Sequence, residues 1–273
     1  MEAVSCSASE LAVMKVTILG CGGSGGVPLI GPDWGRCNPD NPKNRRRRVS
    51  ILIQYNGANI VCDTSPDFRA QMLDAGVGKL DAILYTHDHA DHTQGIDDVR
   101  FMRSYNKGDL IPAYGAAETL KTLTQRFPYV FNQSTDGSGH LYKPFLEARE
   151  LAGPFALCGL KVTPFEQEHG FGTKSTGYRV GPMAYCTDVV ELPEAAFEIL
   201  QGLDLWIVDC LRFEPHMTHA NFDKAIGWIE RLKPKHAILT HLNHQSDYDA
   251  VKEKCPAGVE PGYDGLSVVI GAG

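Results

Sequence analysis

Seven consecutive residues, Thr86-His87-Asp88-His89-Ala90-Asp91-His92, follow directly on the apolar run Leu80-Asp81-Ala82-Ile83-Leu84-Tyr85. Packing histidines and aspartates this densely at the end of a buried strand is a poor way to build a core. Imidazole nitrogens and carboxylate oxygens are the donors that a borderline divalent cation takes, and the spacing His-x-His-x-Asp-His predicts two metal subsites side by side. Two cations about 3.5–4 Å apart would share a water, lower its pKa toward neutrality and turn it on an anionic substrate. The chemistry expected of this stretch is metal-dependent hydrolysis.

Further donors stand at the ends of other apolar runs. His169 follows residues 162–168, Asp188 follows residues 183–187 and His241 follows residues 237–240, while His219 precedes a helix. Strand followed by ligand-type residue is how a site is assembled from one edge of a sheet. Asp63 stands before a helix at about 68–75, and two readings stay open for it: support for the site, or plain helix capping. His140, His216 and His236 are read as ordinary histidines, and Asp88 has no assigned role.

The elements that must carry these residues read as one mixed α/β domain over residues 14–273. Residues 1–13 are expected to be a disordered tail or a mis-assigned start. A strand at 15–19 is followed by a hairpin, strands 49–55 and 58–63 around Asn56-Gly57, and by strand 80–85. Residues 93–135 read as helical and irregular, with helices at 96–102 and 116–127 and a polar loop at 133–139. Strands are expected at 160–166, 177–187, 204–210, 235–241 and 267–270, with helices near 195–201 and 221–232. The last helix carries Phe222, Ala225, Ile226 and Ile229 on one face.

Gly20-Cys21-Gly22-Gly23-Ser24-Gly25 matches the dinucleotide pattern G-x-G-x-x-G in form. No helix follows it, because Pro28, Gly31, Pro32 and Gly35 come next, so the loop reads as a tight turn or as part of the site's rim. Arg45-Arg46-Arg47-Arg48 reads as a solvated face.

Composition sets outer bounds. The chain has 273 residues, 43% of them hydrophobic, which suffices for a sizeable core, and a net charge of −7, which argues against binding by neutralising many nucleic-acid phosphates. Eight cysteines without any C-x-x-C pair do not read as a disulfide framework, and a reducing cytoplasm fits them. No signal peptide or membrane-spanning stretch is recognised in the sequence.

With these residues in view, the sequence resembles the metallo-β-lactamase superfamily, in the branch that holds the PhnP-like cyclic-phosphate phosphodiesterases and ribonuclease Z. The resemblance rests on Leu19-Gly20-Cys21-Gly22-Gly23, Gly26-Val27-Pro28, the residues from Thr86 to His92, and Leu239-Thr240-His241-Leu242-Asn243-His244-Gln245. It continues in Pro256-Ala257-Gly258 and Gly262-Tyr263-Asp264-Gly265. It implies a four-layer αββα sandwich. Carried over by position, it implies that His87, His89 and His169 hold one divalent ion, that Asp91, His92 and His241 hold a second, and that Asp188 bridges them. Zinc or manganese would be the metal. His219 and Asp91 are the implied catalytic residues, with His219 protonating the leaving group or holding a phosphate oxygen. The implied substrate is a small anionic phosphodiester, cyclic or nucleotide-like, with no extended nucleic acid and no membrane as partner. A homodimer is compatible with this.

One departure from the PhnP-like pattern stands out. Those sequences bind a separate structural zinc through clustered cysteines after the Gly-Val-Pro step, with a histidine matching His244. Here only Cys37 and His244 remain, too few for a closed tetrahedral site, so that zinc is expected to be absent unless Asp33 or another side chain completes it. Competing readings are a ribonuclease Z-like endonuclease, a thioester or lactam hydrolase on the same scaffold, and a non-catalytic nucleotide-binding or accessory member. The first lacks its Lys/Arg-rich insertion here, and the intact ligand set weighs against the last.

Overall fold

The computed structural model describes residues 13–102, 108–132 and 143–271. In the first half, β1 (Val13–Gly20), β2 (Ser50–Tyr55) and β3 (Ala58–Cys62) form an antiparallel meander. β4 (Ala82–Leu84), β5 (Ile111–Gly115) and β6 (Leu146–Glu150) then add in parallel. The second half repeats the plan. β7 (Phe155–Leu157), β8 (Leu160–Gly170), β9 (Thr173–Val180) and β10 (Met183–Cys186) are antiparallel neighbours, and β11 (Leu205–Asp209), β12 (His236–Thr240) and β13 (Val259–Pro261) continue in parallel. β14 (Ser267–Gly271) returns to pair with β1. Two sheets result, ordered β14-β1-β2-β3-β4-β5-β6 and β13-β12-β11-β10-β9-β8-β7.

Helices cover the outer faces: α1 (Phe68–Ala75), α2 (Ala90–Thr93), α3 (Ala117–Arg126) and α4 (Pro128–Phe131) with the first sheet, α5 (Glu194–Ile199), α6 (Phe222–Leu232) and α7 (Tyr248–Lys254) with the second. Because side chains alternate along a strand, both faces of each sheet must be covered. Ile60, Cys62 and Leu84 point inward and pack with Val162, Tyr178, Tyr185 and Ile207 of the other sheet. Val61 and Ile83, between them in the pleat, pack outward with Phe68 and Met72 of α1 and Leu123 of α3. On the far side Trp206 and Val208 meet Phe197 of α5 and Ala225, Trp228 and Ile229 of α6. The architecture is the expected four-layer αββα sandwich in one domain.

Several local expectations change. The strand expected at 177–187 is two strands, broken at Gly181, whose φ of 54° no strand interior accommodates. β5 and β6 lie where irregular or unassigned chain was expected, and α7 was not foreseen. β8 runs on to Gly170, so His169 sits within a strand at a register shift. Val13, assigned to the tail, already pairs with Gly271. Residues 1–12, the polar loop at 133–139 and His140 lie outside the described residues.

The arginine run is solvated only in part: Arg45 is exposed and Arg47 and Arg48 are half-buried, but Arg46 is not at the surface. Arg46 is 2% exposed, and its backbone exchanges hydrogen bonds with Val27 at 2.8 and 2.9 Å. Its guanidinium lies 3.3 Å from the Asn243 carbonyl and 3.8 Å from the Cys37 sulfur. Arg47 pairs with Asp74, Arg48 with Asp67, and Arg45 lies over the Trp34 ring. This segment fills the space beside the glycine loop: a Cβ on Gly20 would stand 2.2 Å from the Arg48 carbonyl oxygen, and one on Gly22 2.8 Å from that of Arg47. Those glycines serve close approach of the protein's own backbone. No helix among the described residues is long and apolar enough to cross a membrane.

Candidate metal centre

The parallel arrangement of β3 with β4, and of β10, β11 and β12, places their carboxyl ends at one edge of the sandwich. Asp63 follows β3, the residues from Thr86 to His92 follow β4, Asp188 follows β10, Asp209 ends β11 and His241 follows β12. Asp63, Asp188 and His241 all have left-handed backbones, with φ of 65°, 54° and 59°. Non-glycine residues rarely adopt this conformation and it costs about 1–3 kcal/mol each, so the surrounding packing must enforce it. Three strand ends turn the same unfavourable way and deliver their side chains to one place.

The structure brings all seven sequence-predicted ligands together. His87 Nε2 and His169 Nε2 lie 3.8 and 3.7 Å from Asp188 Oδ1, and His169 Nε2 lies 3.3 Å from His89 Nδ1. His92 Nε2 lies 3.1 Å from Asp188 Oδ2 and 3.4 Å from Asp91 Oδ2. His241 Nε2 stands 3.4 Å from Asp188 Oδ1 and 3.7 Å from Asp91 Oδ2. Donors about 2.0–2.2 Å from one tetrahedral ion stand about 3.3–3.6 Å from each other, so both sets have the right span. Each could hold a metal, with Asp188 common to the two.

Two further observations fit a cation here. Among the described residues, the buried Nε2 atoms of His87, His92 and His241 make no hydrogen bond of good geometry, a costly arrangement for polar atoms that converge with carboxylate oxygens. The electrostatics agree. Burial works against charge throughout, yet Asp188 is held well below the usual carboxylate range by the charges of His241 and His92, and Asp91 is likewise lowered, chiefly by His92. His92 is raised against burial by Asp188, Asp91 and Asp63, and His241 is raised to about 9 against burial, mainly by Asp188. The carboxylates call for positive charge at the point where these side chains converge.

Behind the donors, hydrogen bonds fix each ring. Asp63 accepts from His92 Nδ1 at 2.7 Å and from the Thr86 amide and hydroxyl, both at 2.8 Å. Since the Thr86 hydroxyl gives its proton to Asp63, it accepts from His87 Nδ1 at 3.0 Å. Asp63 thus orients one histidine directly and another through Thr86, leaving both Nε2 lone pairs free. Asp63 is bonded to the candidate site and is not the helix cap: α1 is preceded by Asp67, whose carboxylate accepts from the Arg48 amide. His169 donates through Nδ1 to the Thr218 carbonyl at 2.9 Å.

His219 stands beside the two sets. Its ring stacks on that of His241 at 4.4 Å, and its Nε2 is 4.0 Å from Asp188 Oδ1. Asp209, His219 and His241 form a third group with metal-compatible spacing, but Asp209 already occupies His219 Nδ1. Sequence reading missed Asp209, although an acidic residue closing the apolar strand Leu205–Asp209 repeats the pattern that revealed the others. His216 belongs to neither donor set, although its ring centroid is 5.3 Å from that of His219. His236 pairs with Glu260 away from the site. Asp88 anchors Arg126 of α3 through a salt bridge at 3.1 Å. The glycine loop does line the rim: a Cβ on Gly23 would lie 3.5 Å from the His241 ring.

Residues 58–242 match the family described as Beta-lactamase superfamily domain, and the chain belongs to that superfamily. Within it the chain falls in the branch shared by PhnP and ribonuclease Z. It is 38% identical to a crystal structure described as a new diphosphatase from the PhnP family, with a TM-score of 0.87 over 94% of this chain and 97% of that one. Among curated proteins it is 32% identical over 262 residues to one named Octanoyltransferase from Porphyromonas gingivalis, covering 94% of this chain and 52% of that protein. It is 29% identical over 124 residues to ribonuclease Z of Clostridium acetobutylicum, covering 43% of this chain and 35% of that protein. The chain spans about half the length of the first of these curated relatives and less of the second.

Proposed function

We propose that the protein is a metal-dependent hydrolase of small phosphoric esters or anhydrides, a phosphodiesterase in the first place. The observation that carries this reading is the pair of donor sets sharing Asp188, with His219 presented beside them. His87, His89, His169 and Asp188 would hold one divalent ion, and Asp91, His92, His241 and Asp188 the other. Such ions, when bound, supply Lewis acidity to phosphoryl oxygens and lower the pKa of a water toward neutrality. His219 Nε2 carries the proton for the departing oxygen, or holds a non-bridging phosphoryl oxygen, while Asp209 keeps the ring in place. Asp91, whose carboxyl His92 holds low against burial, suits an anionic ligand, and His219 is the proton donor of this proposal. The likeness to a PhnP-family diphosphatase supports phosphorus as the reacting centre. The net charge of −7 weighs against a long RNA substrate.

The alignment with a protein named Octanoyltransferase favours a second reading, an acyl substrate. Among the described residues a thiol-based acyl transfer finds no support, because burial pushes every thiol up, those of Cys21, Cys62 and Cys210 well above the ordinary value and that of exposed Cys158 as well. Hydrolysis of an acyl thioester at the metal centre is the form of this reading that the site can host. Elemental analysis followed by kcat/KM on cyclic phosphates, linear diesters, diphosphates and an octanoyl thioester separates the two. Turnover of phosphoric substrates above the thioester is the expected result, and a preference for the thioester overturns the proposal.

A further inference from the structure

Two loops meet on the His169 and His219 side of the centre, and each carries an exposed apolar side chain. Phe171, two residues beyond His169, is 77% exposed, and Met217, two residues before His219, is 70% exposed. The loops are in direct contact: a Cβ on Gly170 would stand 2.4 Å from the Met217 carbonyl oxygen and 3.1 Å from the Thr218 Cα. They are latched by the hydrogen bond from His169 Nδ1 to the Thr218 carbonyl. The Thr218 amide in turn donates to His216 Nδ1 at 3.3 Å. The backbone just after Met217 is therefore pinned at Thr218 while the Met217 side chain faces water.

Phe171 is a residue in the wrong place by local rules. Gly170 pairs with Thr173 in the hairpin between β8 and β9, and the two central residues, Phe171 and Gly172, have φ of 50° and 77°. A tight turn with both central φ values positive favours Asn-Gly, Asp-Gly or Gly-Gly, and a bulky aromatic at its first central position is strained. The turn is held against that preference, and what the strain maintains is an aromatic ring presented to solvent beside the site.

Resting on the phosphodiesterase reading above, we propose that Phe171 and Met217 form an apolar lip that binds the second substituent of the ester, so that the preferred substrates carry an aromatic, nucleobase or alkyl group there. A ring face and a thioether both offer polarizable contact surface to a flat or aliphatic group, and neither donates a strong hydrogen bond. Aromatic and alkyl substituents share this chemistry and are separated by the test.

The test measures kcat/KM of the metal-loaded protein on methyl, phenyl and octyl esters of p-nitrophenyl phosphate, which release the same chromophore. The wild type is expected to favour phenyl or octyl over methyl by about tenfold or more, a ratio of the size aromatic stacking or burial of a small apolar group provides. The variant F171N/M217Q is expected to lower that ratio about fivefold or more. Since Asn suits the turn, its melting temperature is expected to hold or rise. Leu73→Asn, altering an exposed apolar residue on α1, should leave the ratio unchanged. A wild-type ratio near one, or a ratio that survives in F171N/M217Q, overturns the lip while leaving the phosphodiesterase reading intact. If no ester is turned over, both fall.

Discussion

Asp209 Oδ2 accepts a hydrogen bond from His219 Nδ1 at 2.9 Å, and the same oxygen takes the Val189 amide at 2.9 Å. The carboxylate is thereby fixed from a neighbouring segment, and it fixes the orientation of His219 in turn: Nδ1–H points away from the site and Nε2 faces it, where it donates when the ring is doubly protonated. This is a positioning relationship: Asp209 is fully buried and acts through the ring.

His219→Ala is accordingly expected to lower kcat by about 10²-fold or more, the scale of a lost general acid. Asp209→Asn should have a smaller effect in the same direction. In both variants elemental analysis should return the wild-type metal content. Loss of one metal equivalent in His219→Ala would instead make His219 a ligand, as the third donor group allows.

Asp63 supports two rings, so Asp63→Asn is expected to weaken metal binding by about 10–100-fold, the usual effect of removing a partner behind a ligating histidine. Asn tolerates the left-handed backbone there, so the fold should survive. Competition titration against a chelator reads the affinity directly. An unchanged constant would confine Asp63 to a structural role.

The glycine loop gives a stability prediction. Gly20→Ala drives a Cβ into the Arg48 carbonyl and is expected to cost about 1–3 kcal/mol or more, visible as a lower denaturation midpoint. Gly227→Ala, in helix α6 with open space around it, should stabilise by about 0.5–1 kcal/mol. If Gly20→Ala proves neutral, the tight packing against residues 46–48 is not rigid.

Asp264 predicts a pH dependence. Its carboxylate accepts from the Arg47 amide at 2.8 Å and the Cys21 amide at 3.2 Å, yet burial pushes its pKa up to about 6. A folded pKa above the unfolded value means that the folded state binds the extra proton between pH about 4 and about 6. Stability contributed by this group is therefore full below that window and falls as pH rises through it, by about 3 kcal/mol for a shift of roughly two units. Urea denaturation of the wild type and Asp264→Asn across pH 4–7 should show the difference between them changing in that direction. A flat difference would overturn it.

Much of the site was legible because its chemistry conflicts with its surroundings. Histidines and aspartates at the ends of apolar strands have no packing reason to be there, and the same conflict would have revealed Asp209. The role of Asp63 was only half legible, since a carboxylate before a helix looks like a cap until the fold shows Asp67 in that position. The arginine run misled for a related reason: charge predicts solvent, while burial of Arg46 depends on contacts with Asn44, Cys37 and Asn243. β5 was missed because a short strand containing Pro112 breaks the usual patterning, and residues that pair only with distant strands leave little local trace. Phe171 was only half legible, because Gly170 and Gly172 announce a turn while the aromatic between them is not a residue that favours a positive φ.

Thr17 and Ser267, 250 residues apart, share a hydrogen bond at 2.8 Å where β14 closes against β1. Until residues 267–271 have left the ribosome, β1 is an open edge that can pair with another nascent chain. Long-range closure of this kind is slow, and unprotected edges are where aggregation starts. The unfinished polypeptide is thus exposed along β1 until β14 arrives, and production at low temperature or with chaperones present should raise soluble yield.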